Sequence, residues 1–311
     1  MKIVFMGTPD FAVNTLEALI EAGHEIALVV TQPDKAKGRG KKMLFSPVKE
    51  AAIAHDLKVA QPEKVKAPEF VKVLSDIAPD VIVVVAFGQI LPESILNLPR
   101  LGCINVHASL LPEYRGAAPI QWAVIDGLRE TGVTTMYMDK GLDTGDIIEQ
   151  RKIEIAPDET GGSLFDKLAL LGGEIIISTL DDLDSGKASR IKQDNESSSY
   201  AKMLSKEMGN LDFNKSAVEL ERLIRGLNPW PSEYTRLEGK LLKIFEAEVI
   251  DDDMSDGDTP GKIIAIDKKS FTIKCGKGAL RIMNLQLEGK KRMDTSAFLL
   301  GYSINPGMKV E

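Results

Sequence analysis

Cysteine, histidine and long apolar runs are scarce in this chain of 311 residues, and each scarcity excludes a class of protein. The sequence holds 2 cysteines and 3 histidines. Cys103 and Cys275 are far apart in the chain, so no disulfide framework is expected and a cytoplasmic location is favoured. The scattered His and Cys residues form no zinc-ligand pattern, and no metal is expected. No apolar run is long enough to span a membrane and the start of the chain does not resemble a signal peptide, so no membrane association is expected.

A dinucleotide fingerprint is also missing. The loop at residues 7–11 follows the first predicted strand, where such folds carry three spaced glycines, but only Gly7 is present there. The segment Gly38–Lys42 superficially resembles a phosphate loop, yet its spacing is wrong and no Ser or Thr follows the lysine. An NAD-dependent oxidoreductase is therefore a weak interpretation.

The net charge of −7 argues against indiscriminate nucleic-acid binding, but the charge is unevenly distributed. Acidic and basic residues are equal in number over residues 208–311, so the negative excess lies in residues 1–207. Within that part, Thr31–Lys49 runs against the trend, with six basic residues and Asp34 as its one acid. Two interpretations stay open for this basic segment: a solvated loop, or a segment that contacts backbone phosphates.

The alternation of strand and helix patterns predicts an open, mostly parallel α/β sheet in the first part of the chain. Val81–Phe87 is apolar at every position, as expected for a central parallel strand. Apolar periodicity is lost after about residue 184, and a helix followed by five short strands then predicts a small β-barrel. We therefore expect a first domain over residues 1–183, a linker over residues 184–206 and a second domain over residues 207–311.

The most informative segment is Ile104–Gly116, INVHASLLPEYRG. Asn105 and His107 are two residues apart on a predicted strand, so their side chains share one face at the carboxyl end, where open α/β sheets bind ligands. Asp143, in the motif GLDTGD, can supply a carboxylate to that pair. Taken singly, these residues fit a structural asparagine, a core histidine and a turn aspartate. Together they suit acyl transfer, because an amide and an imidazole can stabilise a developing oxyanion while a carboxylate orients the imidazole.

An apolar slot is predicted beside this trio. The turn that follows His107 has the apolar character suited to a flat heterocycle, and the apolar stretch at residues 83–91 could form the opposite wall. Ordinary packing at the sheet edge is the alternative. The candidate lining residues are Ser109, Leu110, Leu111, Pro112, Phe87, Gly88 and Ile90.

These segments together resemble the formyltransferases that use 10-formyltetrahydrofolate. The resemblance centres on Asn105, His107, the turn Ser109–Pro112 and Asp143. It implies a formyl donor bound in the apolar slot and catalysis by the trio, without a covalent enzyme intermediate. These residues do not identify the acceptor. They are shared with enzymes that formylate glycinamide ribonucleotide or a nucleotide-linked amino sugar, and with formyltetrahydrofolate hydrolases and dehydrogenases.

Other motifs are similar to the methionyl-tRNA formyltransferase family, and the similarity runs nearly end to end. It is carried by GTPDF at residues 7–11, TQPDKAKGRGKK at 31–42, RGAAPIQ at 115–121, GLDTGD at 141–146, RGLNPWP at 225–231 and GKKRM at 289–293. The resemblance implies a Rossmann-like formyltransferase domain, a C-terminal OB-like barrel, and initiator methionyl-tRNA as the acceptor. It also implies that the basic segment contacts the tRNA acceptor stem, through Lys35, Lys37, Arg39, Lys41 and Lys42.

Two other functions are weighed against this expectation. A formyltransferase acting on a nucleotide-linked amino sugar has a similar two-domain plan but no need for the basic segment. A catalytically idle tRNA-binding module is disfavoured because Asn105, His107 and Asp143 are all present. No coiled coil or pairing surface is evident in the sequence, and a monomer is expected.

Overall fold

The computed structural model describes residues 1–37, 42–250 and 259–311. The chain divides into two compact units. The first unit comprises Met1–Pro119, Glu130–Glu154 and Phe165–Ala201, and the second comprises Ile120–Arg129, Ile155–Leu164 and Lys202–Glu311. No helix in the described residues is long and apolar enough to cross a membrane.

Helices and strands alternate along residues 1–201. The strands up to residue 201 are β1 (Lys2–Gly7), β2 (Glu25–Val30), β3 (Lys35–Lys37), β4 (Lys42–Leu44), β5 (Val59–Ala60), β6 (Val81–Val85), β7 (Cys103–His107), β8 (Arg115–Gly116), β9 (Glu130–Tyr137), β10 (Ile147–Glu154) and β11 (Tyr200–Ala201). The helices are α1 (Phe11–Glu21), α2 (Pro47–Ala54), α3 (Pro68–Ile77), α4 (Glu93–Leu96), α5 (Pro119–Ile125) and α6 (Gly161–Asp184).

A seven-stranded sheet in the order β10-β9-β7-β6-β1-β2-β5 forms the centre of the first unit. Neighbouring strands from β7 to β5 are parallel, whereas β9 is antiparallel to both β7 and β10. Every residue of β6 is buried, because this β-branched strand lies inside the sheet with both faces covered. The predicted mostly parallel α/β sheet is confirmed, and the reversal at β9 is a feature that the sequence pattern did not predict.

The strand order positions a ligand site. The chain runs outward from β1 to β2 and β5, then returns to β6 and β7 on the other side of β1. The change of direction lies between β1 and β6, and open α/β sheets commonly bind ligands at the carboxyl ends of the strands at such a point. The loops that follow β1, β2, β6 and β7 therefore meet along one edge.

The segment predicted as a linker is ordered against the first unit over part of its length. β11 pairs in parallel with β8, and Ile191 forms a bridge with Ile147. The part of this segment up to Ala201 belongs to the first unit, and Lys202 begins the final stretch of the second unit. The boundaries at 183 and 207 stay predictions.

The second unit is built on an antiparallel sheet. Its elements are a 3-10 helix (Lys206–Gly209), α7 (Ala217–Gly226), β12 (Glu233–Leu237), β13 (Lys240–Ile250), β14 (Ile263–Ile266), β15 (Phe271–Lys274), β16 (Ala279–Leu287), β17 (Met293–Asp294) and α8 (Thr295–Gly301). The strand order is β12-β13-β16-β15-β14, with β17 paired to β16. Val310 bridges to Leu237 on β12 and Lys309 bridges to Lys262 beside β14, so the last residues connect the two edge strands. The predicted C-terminal β domain is confirmed, but β13 and β16 are longer than the predicted short strands, and α8 was not predicted.

Glu233, at the start of β12, is an uncommon residue inside this barrel. It is fully buried, and neither carboxylate oxygen has a hydrogen-bond partner in the described structure. Burial raises the pKa of the carboxyl from its ordinary value of 4.5 to about 8, opposed only by the charge of Lys215. The folded chain therefore holds a proton here that the unfolded chain has released.

This shift predicts a pH-dependent effect of Glu233→Gln. The native state binds the extra proton between pH 4.5 and about 8, so wild-type stability falls as pH rises through this window. The neutral amide removes this penalty, and the variant should gain stability over wild type by a few kcal/mol at the upper end and little at the lower end. Urea unfolding at a series of pH values measures the difference. The exposed Glu246→Gln serves as the control, and a gain that does not grow with pH would contradict the assignment.

Candidate active site

Asn105 and His107 lie at the carboxyl end of β7, between β6 and β9. Asn105 is paired in register with Val84 on β6 and Met136 on β9, and His107 with Thr134 on β9. Alternate residues of a strand face the same side, so the amide and the imidazole project together from the sheet edge. Both residues are buried, with exposed fractions of 8% and 7%.

The side-chain amide of Asn105 is unoccupied by the rest of the protein. In the described part of the chain it has no hydrogen-bond partner, although neighbouring polar side chains such as Thr134 and Thr135 are paired. The amide atoms of Asn105 are not among the fully buried polar atoms that lack a partner in the described structure, so they remain accessible to water or to a ligand. Its NH₂ group is therefore available as a hydrogen-bond donor, and a carbonyl or formyl oxygen is an acceptor that it fits.

His107 is held in one orientation by main chain. Its Nε2 lies 3.0 Å from the carbonyl oxygen of Tyr114. Because a carbonyl can only accept, Nε2 carries the proton of this hydrogen bond. Nδ1 is then the nitrogen that can gain or lose a proton, and it faces Oδ2 of Asp143 at 3.8 Å.

Asp143 approaches from the loop between β9 and β10. Its φ angle of +55° is in the left-handed region, which is uncommon for a residue other than glycine. Its Oδ2 accepts a hydrogen bond of 2.8 Å from the main-chain N–H of Gly116. At 3.8 Å the carboxylate oxygen is too far from Nδ1 of His107 for a direct hydrogen bond, although the two side chains are within ion-pair distance. The structure thus brings together the three residues that the sequence predicted as catalytic.

The predicted apolar turn, Ser109–Pro112, follows directly. Ser109 donates to the carbonyl oxygen of Glu113, and Thr134 donates to the carbonyl oxygen of Ser109. Gln150 donates to the carbonyl oxygen of Leu111, and the N–H of Leu111 donates to Thr134. Leu111 is buried with Met136 and Ile147. The turn is therefore rigid and internally satisfied, with Leu110 and Pro112 as its partly exposed members.

The opposite wall lies at the end of the neighbouring strand β6. Gly88 has a φ angle of +85°, which turns the chain out of the sheet. The side chain of Phe87 is buried in the core, and its carbonyl oxygen accepts hydrogen bonds from Thr8 and Gln32. Ile90 is 83% exposed. The two predicted groups of lining residues thus follow adjacent parallel strands, and their contact with a ligand stays a prediction.

The basic segment begins and ends on this same edge. β3 pairs antiparallel with β4, a strand pair that we did not predict. The main chain of Lys35, Lys37 and Lys42 lies in these two strands, while Arg39 and Lys41 lie outside the described residues.

The flanks of the segment are fixed by side chains. Lys49, on α2, donates hydrogen bonds to Asp34 and to Gln61. The hydrogen bonds that Asp34 accepts from Lys49 and from Gln61 lower the pKa of its carboxyl group. Gln61 in turn donates to the carbonyl oxygen of Gln32, whose own amide reaches Phe87. Lys49 is therefore committed to holding the segment, and the predicted tRNA contacts fall to the other basic residues.

Several groups that organise the site were not found by sequence reasoning. Tyr114 and Gly116 act through main-chain atoms, which carry no residue signature. Gln150 and Gln193 bond to loop carbonyls from distant parts of the chain. Within the described side chains there is no group of three His, Cys, Asp or Glu residues arranged to hold a metal ion.

Two family models match the chain. The model described as formyl transferase covers residues 1–180, and the model described as formyl transferase, C-terminal domain, covers residues 203–303.

Curated relatives match over nearly the full length. The methionyl-tRNA formyltransferase of Lachnospira eligens is 57% identical over 99% of this chain and 99% of its own. That of Geobacter metallireducens is 52% identical over 100% of this chain and 98% of its own.

Solved structures share the fold at lower identity. WlaRD, a sugar 3N-formyl transferase crystallised with dTDP and 5-N-formyl-THF, superposes with a TM-score of 0.65 at 21% identity, covering 94% of this chain and 99% of its own. HypX from Aquifex aeolicus in complex with tetrahydrofolic acid gives a TM-score of 0.63 at 17% identity, covering 97% of this chain. The chain spans about half of HypX, 47% of its length.

Proposed function

The chain belongs to the formyl transferase family, and we propose that it transfers the formyl group of 10-formyltetrahydrofolate to the α-amino group of methionine on initiator methionyl-tRNA. The product is N-formylmethionyl-tRNA for translation initiation, a process that takes place in the cytoplasm. Relatives of this name share more than half of their residues with the chain over nearly its whole length. The observation that carries the chemistry is the convergence of Asn105, His107 and Asp143 at the carboxyl end of β7.

The reaction is an attack of a neutral amine on a formyl carbon. The amine nitrogen forms a bond to that carbon, and the carbonyl electron pair moves onto oxygen to give a tetrahedral oxyanion. The proton of the attacking nitrogen must then reach the leaving N10 nitrogen of the folate. The C–N10 bond breaks, the formyl C=O double bond reforms, and no covalent bond to the protein is needed because both substrates are held together.

Asn105 and His107 each stabilise the oxyanion by donating a hydrogen bond to it. The unpaired amide of Asn105 donates to it without first breaking a hydrogen bond within the protein. Nε2 of His107 already donates to Tyr114, so His107 can donate to the oxyanion only through Nδ1 and only as the imidazolium. Asp143 stabilises that charge and, directly or through a water, helps the proton move between the two nitrogens.

The remaining residues have supporting roles. The formyl donor binds between Ser109, Leu110, Leu111 and Pro112 on one side and Phe87, Gly88 and Ile90 on the other. Residues 1–183 are the catalytic domain, residues 184–206 the linker, and residues 207–311 an OB-like domain that also touches tRNA. The enzyme acts as a monomer and needs no metal, since the trio supplies the charge stabilisation.

The basic segment distinguishes a tRNA acceptor from a small one. Replacing Lys37, Arg39, Lys41 and Lys42 with Gln should weaken binding of methionyl-tRNA and flatten its salt dependence, by roughly one unit of log–log slope for each phosphate that the variant no longer neutralises. The KM for methionyl-tRNA at several salt concentrations measures this, and kcat at saturating tRNA should change far less.

A matched control is available in the same unit. Lys72→Gln and Lys152→Gln remove exposed cations that are paired with Asp76 and Glu130. These variants should leave the salt slope unchanged, because their charge is already compensated. A segment variant with wild-type slope would show that the basic segment does not touch tRNA and would favour an amino-sugar acceptor.

A further inference from the structure

Gln193 lies in the polar segment predicted as a linker, yet every polar atom of its side chain is used. Its Nε2 donates to the carbonyl oxygens of Asp143 at 2.9 Å and Gly145 at 2.7 Å. Its Oε1 accepts from Nε of Arg115 at 3.1 Å and from Nη2 at 2.8 Å. One amide therefore joins the loop that carries Asp143 to the strand that follows the apolar turn.

Asp143 is held at its main chain by Gln193 and at its carboxylate by the residue that follows Arg115. Gln193 holds the main chain of Asp143, which has the left-handed conformation. Arg115 immediately precedes Gly116, whose N–H holds Oδ2 of Asp143 at 2.8 Å. The direction in which the carboxylate points is thus set from both sides by groups that meet at Gln193.

The loop that carries Asp143 is packed closely against β9 and depends on Gln193 for two of its main-chain hydrogen bonds. A Cβ at Gly145 would lie 1.7 Å from the carbonyl oxygen of Tyr137, so the chain there runs directly against β9. The carbonyl groups of Asp143 and Gly145 both point to the same amide. Removal of that amide would leave two carbonyls without their partner in the protein.

Arg115 depends on the same amide. It is 8% exposed, and among the described residues its guanidinium bonds to the side-chain oxygens of Gln193 and Asn195 and to no carboxylate. A buried cation without an acidic partner needs such oxygens, since desolvation of an unpaired charge is costly. Gln193 satisfies both a cation and two carbonyls, which a carboxylate or an apolar residue at this position cannot do.

We propose that Gln193 is a positioning residue for formyl transfer, acting through Asp143. It touches no reacting atom; it fixes the loop so that the Asp143 carboxylate stays beside Nδ1 of His107. This inference rests on the proposed function, in which Asp143 assists proton transfer. A small displacement of a catalytic group is enough to slow a reaction greatly, even when the mutated residue is outside the site.

Gln193→Glu separates the hydrogen bonds that the side chain accepts from Arg115 from those that it donates to the Asp143 loop. The new carboxylate still accepts from Arg115 but can no longer donate to the carbonyl oxygens of Asp143 and Gly145. We expect kcat to fall by about 10- to 100-fold, with the KM values for both substrates changed less than about threefold. Gln193→Met, which has a similar length but no donor or acceptor, should lower kcat at least as much. The matched control is Gln286→Glu in the second unit, a partly exposed glutamine that donates to the carbonyl oxygen of Lys290, and its kcat should stay at the wild-type value.

A double-mutant cycle tests whether Gln193 acts through Asp143. With Asp143→Ala as background, Gln193→Glu should change the single-turnover rate less than about twofold, because the group being positioned is gone. A further fall of about tenfold or more in that background would show a general structural role and overturn the proposal. A Gln193→Glu variant with wild-type kcat, in an enzyme that Asp143→Ala does impair, would also overturn it. If Asp143→Ala itself kept the wild-type rate, the role of Asp143 in the proposed function would be wrong, which is a distinguishable result.

Discussion

His107→Ala is expected to slow single-turnover formyl transfer by about 10²- to 10⁴-fold, the usual range for removal of a positioned acid–base group. The imidazole is fixed by Tyr114 through Nε2, so Nδ1 alone is available to take the proton and donate to the oxyanion. Alanine removes both functions and leaves Asp143 without the cation that it stabilises. Rapid mixing of enzyme, labelled formyl donor and methionyl-tRNA measures the rate of the chemical step.

The control for this prediction is another histidine of the same unit. His55 is bound to Glu17 at the surface, and the side chains of both are about one-third exposed. His55→Ala should therefore transfer formyl at the wild-type rate. A His107→Ala enzyme that reacts within a few-fold of wild type would remove His107 from the mechanism.

Asn105→Ala is expected to cost about 10²- to 10³-fold in kcat, as for the removal of one oxyanion donor. Asn105 is 8% exposed and its amide makes no hydrogen bond within the described structure, so in the proposed mechanism it meets the oxyanion without giving up another hydrogen bond. The KM for either substrate should change little, because the interaction is strongest in the transition state. Steady-state kinetics with both substrates varied measures the two effects separately.

Asn105→Asp makes the test sharper. It keeps the shape of the side chain but replaces the donor with an acceptor that repels the oxyanion, so it should be at least as slow as Asn105→Ala. Asn97→Ala, at the C-terminal end of α4, is the neutral control. A fast Asn105→Asp enzyme would show that the side chain faces no developing negative charge.

Local sequence patterns were sufficient to predict the position of part of this candidate site. The alternation of a strand places Asn105 and His107 on one face, and the uniform apolar pattern of β6 identifies the neighbouring strand at the centre of a parallel sheet. These two facts locate the site at the carboxyl edge of the sheet without any knowledge of the tertiary fold. The predicted role of Asp143 depended on the motif around it, because its spacing from His107 in the sequence alone says nothing about the distance between the two side chains.

Other features depend on tertiary contacts that leave no local pattern. The antiparallel direction of β9 could not be predicted from the pattern of apolar residues, because that pattern is the same for parallel and antiparallel neighbours. Gln193 is separated from Asp143 by 50 positions and lies in a polar stretch with the composition of a linker. The strands β3 and β4 occur in a segment whose charge suggested a loop.

Transfer of labelled formyl from 10-formyltetrahydrofolate, with methionyl initiator tRNA and a nucleotide-linked amino sugar offered in parallel, tests the central claim most directly. The proposed function predicts label on the α-amine of the tRNA-bound methionine and none on the sugar. Label on the amino sugar alone would contradict that function, although the catalytic trio would keep its role.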